Sequence, residues 1–385
     1  MHLQILDATK EKDVKIVQGK ISGIVLVDPA RKIVKKMSDN NNSKPVLVTG
    51  ATGYLASWIV KGLLNKGITV HAAIRGVGDK VKTKHLDDIA TAVNGRIKYF
   101  EADLLATGSY ESAMEGCELV FHTASPFFLD SKDPQKELID PALNGTRNVL
   151  DSVNKSGSVK RVILTSSVAA IYGDTIDARG IESGVFDESM WNTSSNIKQS
   201  QYNYSKTLAE KEAWKMNEKQ SRWSLVAINP SLVFGPALNI HCDFSSKRIM
   251  MQLCNGDMRW GTPDLTYAVT DVRDVAIAHI KAAFHNKASG RYIISSGSIN
   301  FLDIGKILIK NFGSAYHFPK FKAPKILFWL IAPLFGVNRN FVNRNVGYPL
   351  YFDNSKSKKE LGMDYIPISK TIVDFFQQFV DEKIV

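Results

Sequence analysis

From Pro45 onward, short β-rich runs alternate with segments of helical periodicity, and this alternation limits the possible folds more than any other feature. The segments between the runs carry apolar residues three and four positions apart, as amphipathic helices do. Such alternation favours a parallel sheet with helices on both faces, so we predict an α/β fold with a doubly wound sheet. The runs are VLVTG, TVHAAIR, KYFEADL, ELVFHTAS, RVILTSS and LVAINPSLVFG, and GRYIISSG is the only clear strand predicted after them.

A glycine-containing turn, GATGYLA, joins the first run to the helix predicted after it. Glycines let the backbone turn sharply and approach a pyrophosphate, whose charge is met by N–H groups at the helix N-terminus. A tight turn without a ligand is the alternative, but a strand before the turn and a helix after it are the setting that a dinucleotide site requires. The predicted cofactor contacts here are Gly50, Thr52, Gly53, Tyr54 and Leu55.

The end of the second run indicates which dinucleotide is bound. An NAD site usually carries Asp or Glu about 20 residues after the glycines, whereas a 2′-phosphate calls for Arg. The second run ends in Arg75, no carboxylate follows it until Asp79, and Lys82 lies within reach. This charge suits a phosphate, so we predict NADP(H) as the cofactor; the alternative is that Arg75 is an ordinary surface residue.

Small side chains end the fourth run, at Thr123, Ala124 and Ser125. They would let the backbone lie against the ribose and the linking phosphates of the cofactor. Packing between neighbouring strands would favour the same residue types, and that alternative stays open.

A tyrosine and a lysine four residues apart, Tyr202 and Lys206, lie in the predicted helix YNYSKTLAEKEAW. Positions four apart share one helix face, so both side chains can act on one ligand. We expect the ammonium to lower the pKa of the phenol and make Tyr202 the proton donor, while Lys206 also holds the nicotinamide ribose. An exposed surface tyrosine is the usual alternative. Hydroxyls at residues 165–167, which end an earlier run, would hydrogen-bond a substrate carbonyl.

Taken in order, GATGYLA, Arg75, DL, TASP, TSS, YNYSKTLAEKEAW and NPSLVFGP resemble the extended short-chain dehydrogenase/reductases. The similarity is to the branch of dihydroflavonol reductases, cinnamoyl-CoA reductases and related aldehyde and ketone reductases, within the NAD-dependent epimerase/dehydratase family. It extends from about residue 45 to about residue 297 and continues weakly through YFDNSKSKKELGMDY. The resemblance implies a Rossmann fold and NADPH-dependent reduction of a carbonyl group to an alcohol.

The resemblance also distinguishes between the two serines of the TSS run. The last serine of this cluster is the catalytic one in the family, which implies Ser167 rather than Ser166, acting with Tyr202 and Lys206. Since strand side chains alternate between faces, an error of one residue would exchange pocket and core.

Further cofactor contacts are implied by the positions of the family's motifs. Asp103 and Leu104 stand where an Asp-Leu pair flanks adenine, although Asp103 would also serve as a helix N-cap. Pro230 and Val233 stand in the loop that lines the nicotinamide carboxamide, although two prolines would also set a rigid turn. Ser245 falls where a related reductase has a residue near the cofactor.

The predicted organisation has three parts: an N-terminal extension of unknown role (1–44), an NADP-binding Rossmann domain (45–235) and a substrate-binding lobe (236–385), part of which returns to the Rossmann domain. Within the extension, residues 21–28 are apolar enough for a strand. Residues 326–337 are apolar but too short for a bilayer and interrupted by Pro333, which favours a buried or interfacial helix over membrane contact.

Charge and cysteine content limit the possible partners. The net charge of +11 lies in clusters without interleaved aromatic residues, which argues against a nucleic-acid surface. Cys117, Cys242 and Cys254 have no zinc or disulfide spacing, and the N-terminus lacks a signal-peptide core. We therefore expect a cytoplasmic monomer or homodimer without a metal or stable membrane insertion, acting on a small carbonyl compound.

Two other functions share these motifs. A sugar-nucleotide or sterol-type epimerase or dehydrogenase has the same fold and triad but normally uses NAD, which Arg75 disfavours. A non-catalytic NADP-sensing regulator would not need the complete Ser-Tyr-Lys set. The substrate stays open: Phe127, Phe128, Trp191 and Trp260 suggest either an apolar substrate or core packing.

Overall fold

The computed structural model describes residues 44–125, 133–259 and 261–385. The predictions for residues 1–43, including the strand at residues 21–28, and for Phe127, Phe128 and Trp260 lie outside the described residues.

Ten strands are formed by the described residues. They are β1 (Val46–Thr49), β2 (Val70–Ile74), β3 (Ile97–Glu101), β4 (Leu119–His122), β5 (Arg161–Thr165), β6 (Ser224–Pro230), β7 (Leu232–Phe234), β8 (Thr266–Asp271), β9 (Gly290–Ile294) and β10 (Gly297–Asn300).

The helices of the described residues alternate with these strands up to β6. They are α1 (Tyr54–Leu64), α2 (Lys80–Ala92), α3 (Glu111–Met114), α4 (Asp140–Lys155), α5 (Gln201–Glu218), α6 (Ser245–Cys254), α7 (Val272–Phe284), α8 (Phe301–Phe312), α9 (Lys325–Ile331), α10 (Arg339–Asn345), α11 (Ser355–Leu361) and α12 (Ile368–Asp381). A π-helical turn precedes α4 (Gln135–Ile139), and 3₁₀ turns lie at Val168–Ala170, Thr175–Gly180 and Ala332–Phe335.

Seven strands form one parallel sheet in the order β3-β2-β1-β4-β5-β6-β9. All residues of β1 and β2 are buried, because helices cover both faces of a sheet of this kind. The strand order reverses between β1 and β4, where Thr49 lies opposite His122. A reversal of this kind opens a crevice at the carboxyl ends of the strands, so the predicted doubly wound α/β fold is confirmed and its ligand-binding edge is defined.

A second sheet has the order β10-β8-β7, with β7 and β8 parallel and β8 and β10 antiparallel. It packs with α6, α8 and α12 around a separate apolar core that includes Phe234, Phe375 and Phe376. The prediction of a single late strand was therefore wrong. β10 is the four-residue segment GSIN, whose polar composition gives no strand signal, and LVAINPSLVFG divides at Ser231 into two strands of different sheets.

The apolar segment 326–337 contains all of α9 except Lys325, together with the 3₁₀ turn that follows, and it does not form a buried helix. No residue of α9 is buried, which contradicts the buried alternative. Among the helices of the described residues, none has the length and apolar character needed to cross a bilayer.

Candidate active site

A cavity of about 800 Å³ opens at the carboxyl ends of β5 and β6. The end of β5, the start of α5, the loop after β6 and the start of α6 line it. Because α10 also contributes, the cavity lies between the seven-stranded sheet and the C-terminal part of the chain.

The first turns of α5 bring Tyr202 and Lys206 to this cavity. The Tyr202 phenol is hydrogen-bonded to Ser167, which lies two residues after the end of β5. The Lys206 Nζ lies 5.9 Å from the Tyr202 ring centre and donates to Ser125 Oγ at 3.0 Å. The structure therefore brings together the three side chains predicted for catalysis and adds Ser125 to them.

The start of α5 is fixed by a buried carboxylate. Ser200, directly before the helix, has a left-handed backbone with φ 52°, and its hydroxyl donates to Asp174 at 3.2 Å. Gln199 and Asn345 also donate to Asp174, and Arg344 forms an ion pair with it at 2.5 Å. This network holds the turn from which Tyr202 projects.

The two serines after β5 have different partners. Ser167 Oγ accepts the N–H of Ala169 at 3.1 Å and contacts Tyr202, whereas the Ser166 hydroxyl donates to Glu210. Ser166 is buried and Ser167 is more accessible. The alternation predicted from strand geometry therefore directs Ser167, and not Ser166, towards the tyrosine.

Burial has the largest effect on the pKa values of Tyr202 and Lys206. Burial raises the pKa of Tyr202 to about 12, and its hydrogen bond with Ser167 acts in the opposite direction. Burial lowers the pKa of Lys206 to about 8, against which the Glu210 charge acts. The expected lowering of the Tyr202 pKa was wrong for this state, because desolvation of the phenol dominates. Tyr202 is consequently a protonated phenol at neutral pH.

A buried ion pair lies behind Ser166 and was not predicted. Arg291 on β9 donates to Glu210 at 2.6 Å, and Asn229 on β6 donates to Glu210 at 2.7 Å and to the Ser167 carbonyl at 3.1 Å. Glu210 lies one helical turn after Lys206, so helical spacing alone would have indicated that it is near the site. Its partners come from strands distant in sequence and gave no signal.

The glycine turn after β1 is closely packed against the end of β4. Gly50 has φ 63°, and a Cβ at this position would lie 3.3 Å from Ala124, which favours glycine on both counts. Thr49 Oγ1 accepts the N–H groups of Thr123 and Ala124 at 3.1 and 3.0 Å, and Thr123 Oγ1 donates to the Thr49 carbonyl. The ends of the two strands that flank the crevice are thus joined.

The N-terminus of α1 has the features of an anion site. Its N-cap is the exposed Gly53, which has no side chain that could cap the helix. The first turn of α1 holds no acidic residue. Thr52 lies partly buried before it, and Leu55 reaches the cavity. The helix dipole and unpaired N–H groups favour a phosphate there.

Tyr54 joins the glycine turn to the segment between β7 and α6. Its hydroxyl donates to the Gly235 carbonyl at 2.7 Å, and its ring stacks on Phe244 at 4.2 Å. The same cavity is also lined by Pro230, Val233 and Ser245. The loop after β6, the start of α6 and the glycine turn therefore share one wall.

The two predicted phosphate-binding cations lie at the end of β2 and in α2. Arg75 directly follows β2 and is exposed. Lys82 forms an ion pair at 3.1 Å with Asp79, whose carboxylate also caps α2. Both cations are therefore exposed beyond the sheet edge, and Lys82 is partly neutralised by Asp79.

Asp103 and Leu104 lie in a turn after β3. Asp103 Oδ1 accepts the N–H of Leu105 at 2.8 Å, so it caps a turn rather than a helix. A Cβ on Gly145 would lie 2.4 Å from Leu104 Cγ, so α4 needs glycine there to receive this leucine. Asn148 donates to the Leu104 carbonyl at 3.1 Å and holds the turn, a role without a sequence signal.

The cavity wall differs from the aromatic set predicted from the sequence. Trp191 stacks on the Arg291 guanidinium at 4.0 Å and is not part of the lining. The aromatic residues that line the described cavity are Tyr54, Tyr172, Tyr202, Phe244, Tyr267, Phe341 and Phe352. Within the described ranges, no cluster of His, Cys, Asp and Glu could hold a metal ion.

The crevice, the serine-tyrosine-lysine arrangement and the glycine turn coincide with a match to a known family. Residues 47–294 match the 3-beta hydroxysteroid dehydrogenase/isomerase family. The chain belongs to this family.

Similar proteins place this family member in the extended short-chain dehydrogenase/reductase branch, as predicted. A cinnamoyl-CoA reductase of Medicago truncatula is 36% identical over 90% of this chain and 99% of the relative. A bifunctional dihydroflavonol 4-reductase/flavanone 4-reductase of Malus domestica is 32% identical over 89% of this chain and 90% of the relative. The yeast methylglyoxal/isovaleraldehyde reductase complexed with NADPH is a structural neighbour with a TM-score of 0.70 and 28% identity, covering 88% of this chain and 99% of the neighbour.

Proposed function

We propose that this protein reduces an aldehyde or ketone to an alcohol with NADPH. The observation that carries the proposal is the contact of Tyr202 with Ser167 beside Lys206, in a cavity at the carboxyl edge of the sheet. Its relatives are reductases, and a solved neighbour holds NADPH, which supports both the reaction class and the cofactor.

The glycine turn and the α1 N-terminus fit a dinucleotide. A side chain at Gly50 would crowd Ala124, and the N-terminus of α1, which has no side-chain cap, favours a pyrophosphate. Asp103 and Leu104 would lie beside the adenine, and Arg75 would meet the 2′-phosphate. Val233, Pro230 and Ser245 would line the nicotinamide end. NADPH bound there would supply the hydride that the reduction needs.

The chain's own residues would handle the substrate oxygen. Tyr202 is protonated at neutral pH and would donate its proton to the oxygen as negative charge develops there. Ser167 would hydrogen-bond the same oxygen and fix its position. Lys206 would stabilise the phenolate left behind, and its contact with Ser125 directs its ammonium towards the predicted ribose site.

The cavity suits a largely apolar molecule with a few polar groups. Tyr172, Tyr267 and Phe352 supply aromatic wall, and Asn338, with other amide side chains, lies at the outer rim. This division into apolar wall and sparse polar groups is usual for sites that bind small organic substrates. We also propose that residues 45–235 bind the cofactor and residues 236–385 complete the substrate site.

The proposal is tested by following NADPH and NADH oxidation with a panel of aldehydes, ketones and acyl-CoA esters. We expect turnover of at least one aldehyde or ketone, with NADPH preferred over NADH. Turnover of sugar nucleotides with NAD, without carbonyl reduction by NADPH, would instead favour an epimerase or dehydrogenase. Binding of NADPH without turnover of any carbonyl compound would contradict the proposed reaction.

A further inference from the structure

The outer face of α9 and the 3₁₀ turn after it form an exposed apolar surface. Its exposed fractions reach 76% at Ile326, 83% at Leu334 and 68% at Phe335, with Leu327 and Leu330 about half exposed. We call these five residues the α9 patch. Contiguous exposed apolar groups of this kind mark interaction surfaces, because their exposure to water is unfavourable.

The α9 patch is held firmly by the rest of the fold. Phe328 and Trp329, on the inner side of α9, pack against the apolar core beside the three-stranded sheet. Ala332 in the following turn is fully buried. Lys325 Nζ donates to the Val346 carbonyl at 2.7 Å, which joins the start of α9 to the end of α10. The patch is exposed because the opposite side of α9 packs against the core, so α9 is not detached from the fold.

The chain around the α9 patch carries only one sign of charge. Residues 304–352 contain no Asp or Glu. Their basic residues are Lys306, Lys310, Lys320, Lys322, Lys325, Arg339 and Arg344. Lys306, Lys322 and Arg344 pair with Asp303, Asp264 and Asp174. The other four cations are complementary to an anionic surface.

Three of these cations flank the α9 patch. Arg339 stacks on Trp329 at 4.4 Å, Lys325 is the first residue of α9, and Lys320 precedes the half-exposed Phe321. The neighbouring Asp264 is neutralised by Lys322, at 2.7 Å. The surface is therefore amphipathic, with apolar side chains in the middle and cations beside them.

We propose that the α9 patch and its flanking cations bind the surface of an anionic phospholipid bilayer. The apolar side chains would enter the headgroup region while Lys320 and Arg339 meet lipid phosphates. This contact is peripheral and reversible. The sequence favoured a buried or interfacial helix over membrane contact for residues 326–337, and the exposed apolar side chains of the α9 patch favour the contact instead. A second copy of the chain fits less well, since a two-fold contact through this face would bring the same cations together.

The α9 patch is followed in the chain by residues at the rim of the cavity. The chain passes directly from the patch into Asn338, Asn340 and Phe341, which are exposed and also line the cavity. Docking would therefore bring the rim of the cavity close to the bilayer, where apolar compounds accumulate. The bilayer contact itself does not depend on the proposed reduction.

Co-sedimentation with vesicles tests the proposal on the full chain. Vesicles of phosphatidylcholine with phosphatidylserine are compared with vesicles of phosphatidylcholine alone, at low and high salt. The double variant Leu334→Ser with Phe335→Ser removes the apolar anchor and keeps every charge. Ile277→Ser is the matched control, since Ile277 is an exposed apolar residue on α7, away from the patch.

We expect the unchanged protein and the control to bind phosphatidylserine vesicles in a salt-sensitive way, and the double variant to bind roughly tenfold more weakly. A second variant, Lys320→Glu, should also weaken binding. Three results would overturn the proposal: no binding by the unchanged protein, equal binding by the double variant, which means non-specific charge attraction, or dimerisation in solution that the double variant abolishes.

Discussion

Glu210 and Arg291 form an ion pair beneath the candidate active site, with 2.6 Å between Glu210 Oε1 and Arg291 Nε and both side chains buried. The carboxylate also accepts the Ser166 hydroxyl and the Asn229 amide, and the same amide donates to the Ser167 carbonyl. One helical turn away, Lys206 is held towards its charged form by the Glu210 charge. We therefore regard Glu210 as a positioning residue that acts through Ser167 and Lys206.

Glu210→Gln should move the alkaline limit of the reaction to lower pH. Lys206 has its pKa lowered to about 8 by burial, and Glu210 counteracts this shift, so neutralising Glu210 lets Lys206 lose its proton at lower pH. The measurement is the pH profile of kcat/KM for NADPH-dependent reduction. We also expect a loss of about 3 kcal/mol in the free energy of unfolding, because Arg291 stays buried without its counter-charge.

The matched control is Glu212→Gln on the same helix, where the carboxylate pairs with the half-exposed Arg147 at the surface. Its pH profile should coincide with that of the unchanged protein. A Glu210→Gln variant that is less stable but has an unmoved alkaline limit would assign Glu210 a structural role only.

Tyr202→Phe should reduce kcat by about three orders of magnitude, since general acid catalysis typically contributes a factor of this size. The affinity for NADPH should change little, because Lys206 and the glycine turn are untouched. Stopped-flow turnover and fluorescence titration with NADPH measure the two quantities separately. Full activity of the variant would show that another group donates the proton.

Ser167→Ala and Ser166→Ala form a pair that tests which hydroxyl faces the substrate. Ser167 contacts Tyr202, so its removal should lower kcat by about 100-fold with a small change in KM. Ser166 donates to Glu210, so its removal should lower stability by about 1 kcal/mol and kcat by less than about tenfold. The reverse order of effects on kcat would mean that the two serines exchange roles.

Arg75→Glu should weaken NADPH binding far more than NADH binding, because it replaces a cation near the 2′-phosphate with an anion. A loss of about 100-fold in NADPH affinity corresponds to about 2.7 kcal/mol. Arg96→Glu is the control, since this exposed arginine precedes β3 at the opposite edge of the sheet. Equal loss of both cofactors in Arg75→Glu would contradict the assignment of Arg75.

Local patterns predicted the features that depend on neighbouring residues in sequence. The seven strands of the main sheet, the glycine turn and the i, i+4 pair of Tyr202 and Lys206 all follow from periodicity and spacing. Glu210 could have been placed near the site by the same spacing, but its partner Arg291 is 81 residues away and pairs with it only after β9 joins β6.

The features that depend on tertiary burial could not be predicted. The raised pKa of Tyr202 results from desolvation in a cavity whose walls come from distant segments. β10 forms because its backbone pairs with β8, although its own residues have no strand pattern. The exposure of α9 has the same origin, since the side of an apolar helix that faces the core is decided by the elements around it.

The stability of the fold should decrease as the pH falls below about 6.5, and two buried histidines contribute to this decrease. His279 is fully buried, its ring is 2.7 Å from Thr165 Oγ1 and 2.8 Å from the Val275 carbonyl, and burial lowers its pKa to about 4. Burial lowers the pKa of His122 to about 3. In the unfolded chain both imidazoles bind protons near pH 6.5.

Between pH 6.5 and the folded-state pKa, the unfolded chain therefore binds a proton that the folded chain does not. Each histidine removes about 1.4 kcal/mol of stability per pH unit in this window. His279→Gln should consequently flatten the dependence of the free energy of unfolding on pH between about 6 and 4, whatever its effect at pH 7. Urea unfolding at a series of pH values measures the slope, and curves that stay parallel for the variant and the unchanged protein would show that His279 does not contribute to it.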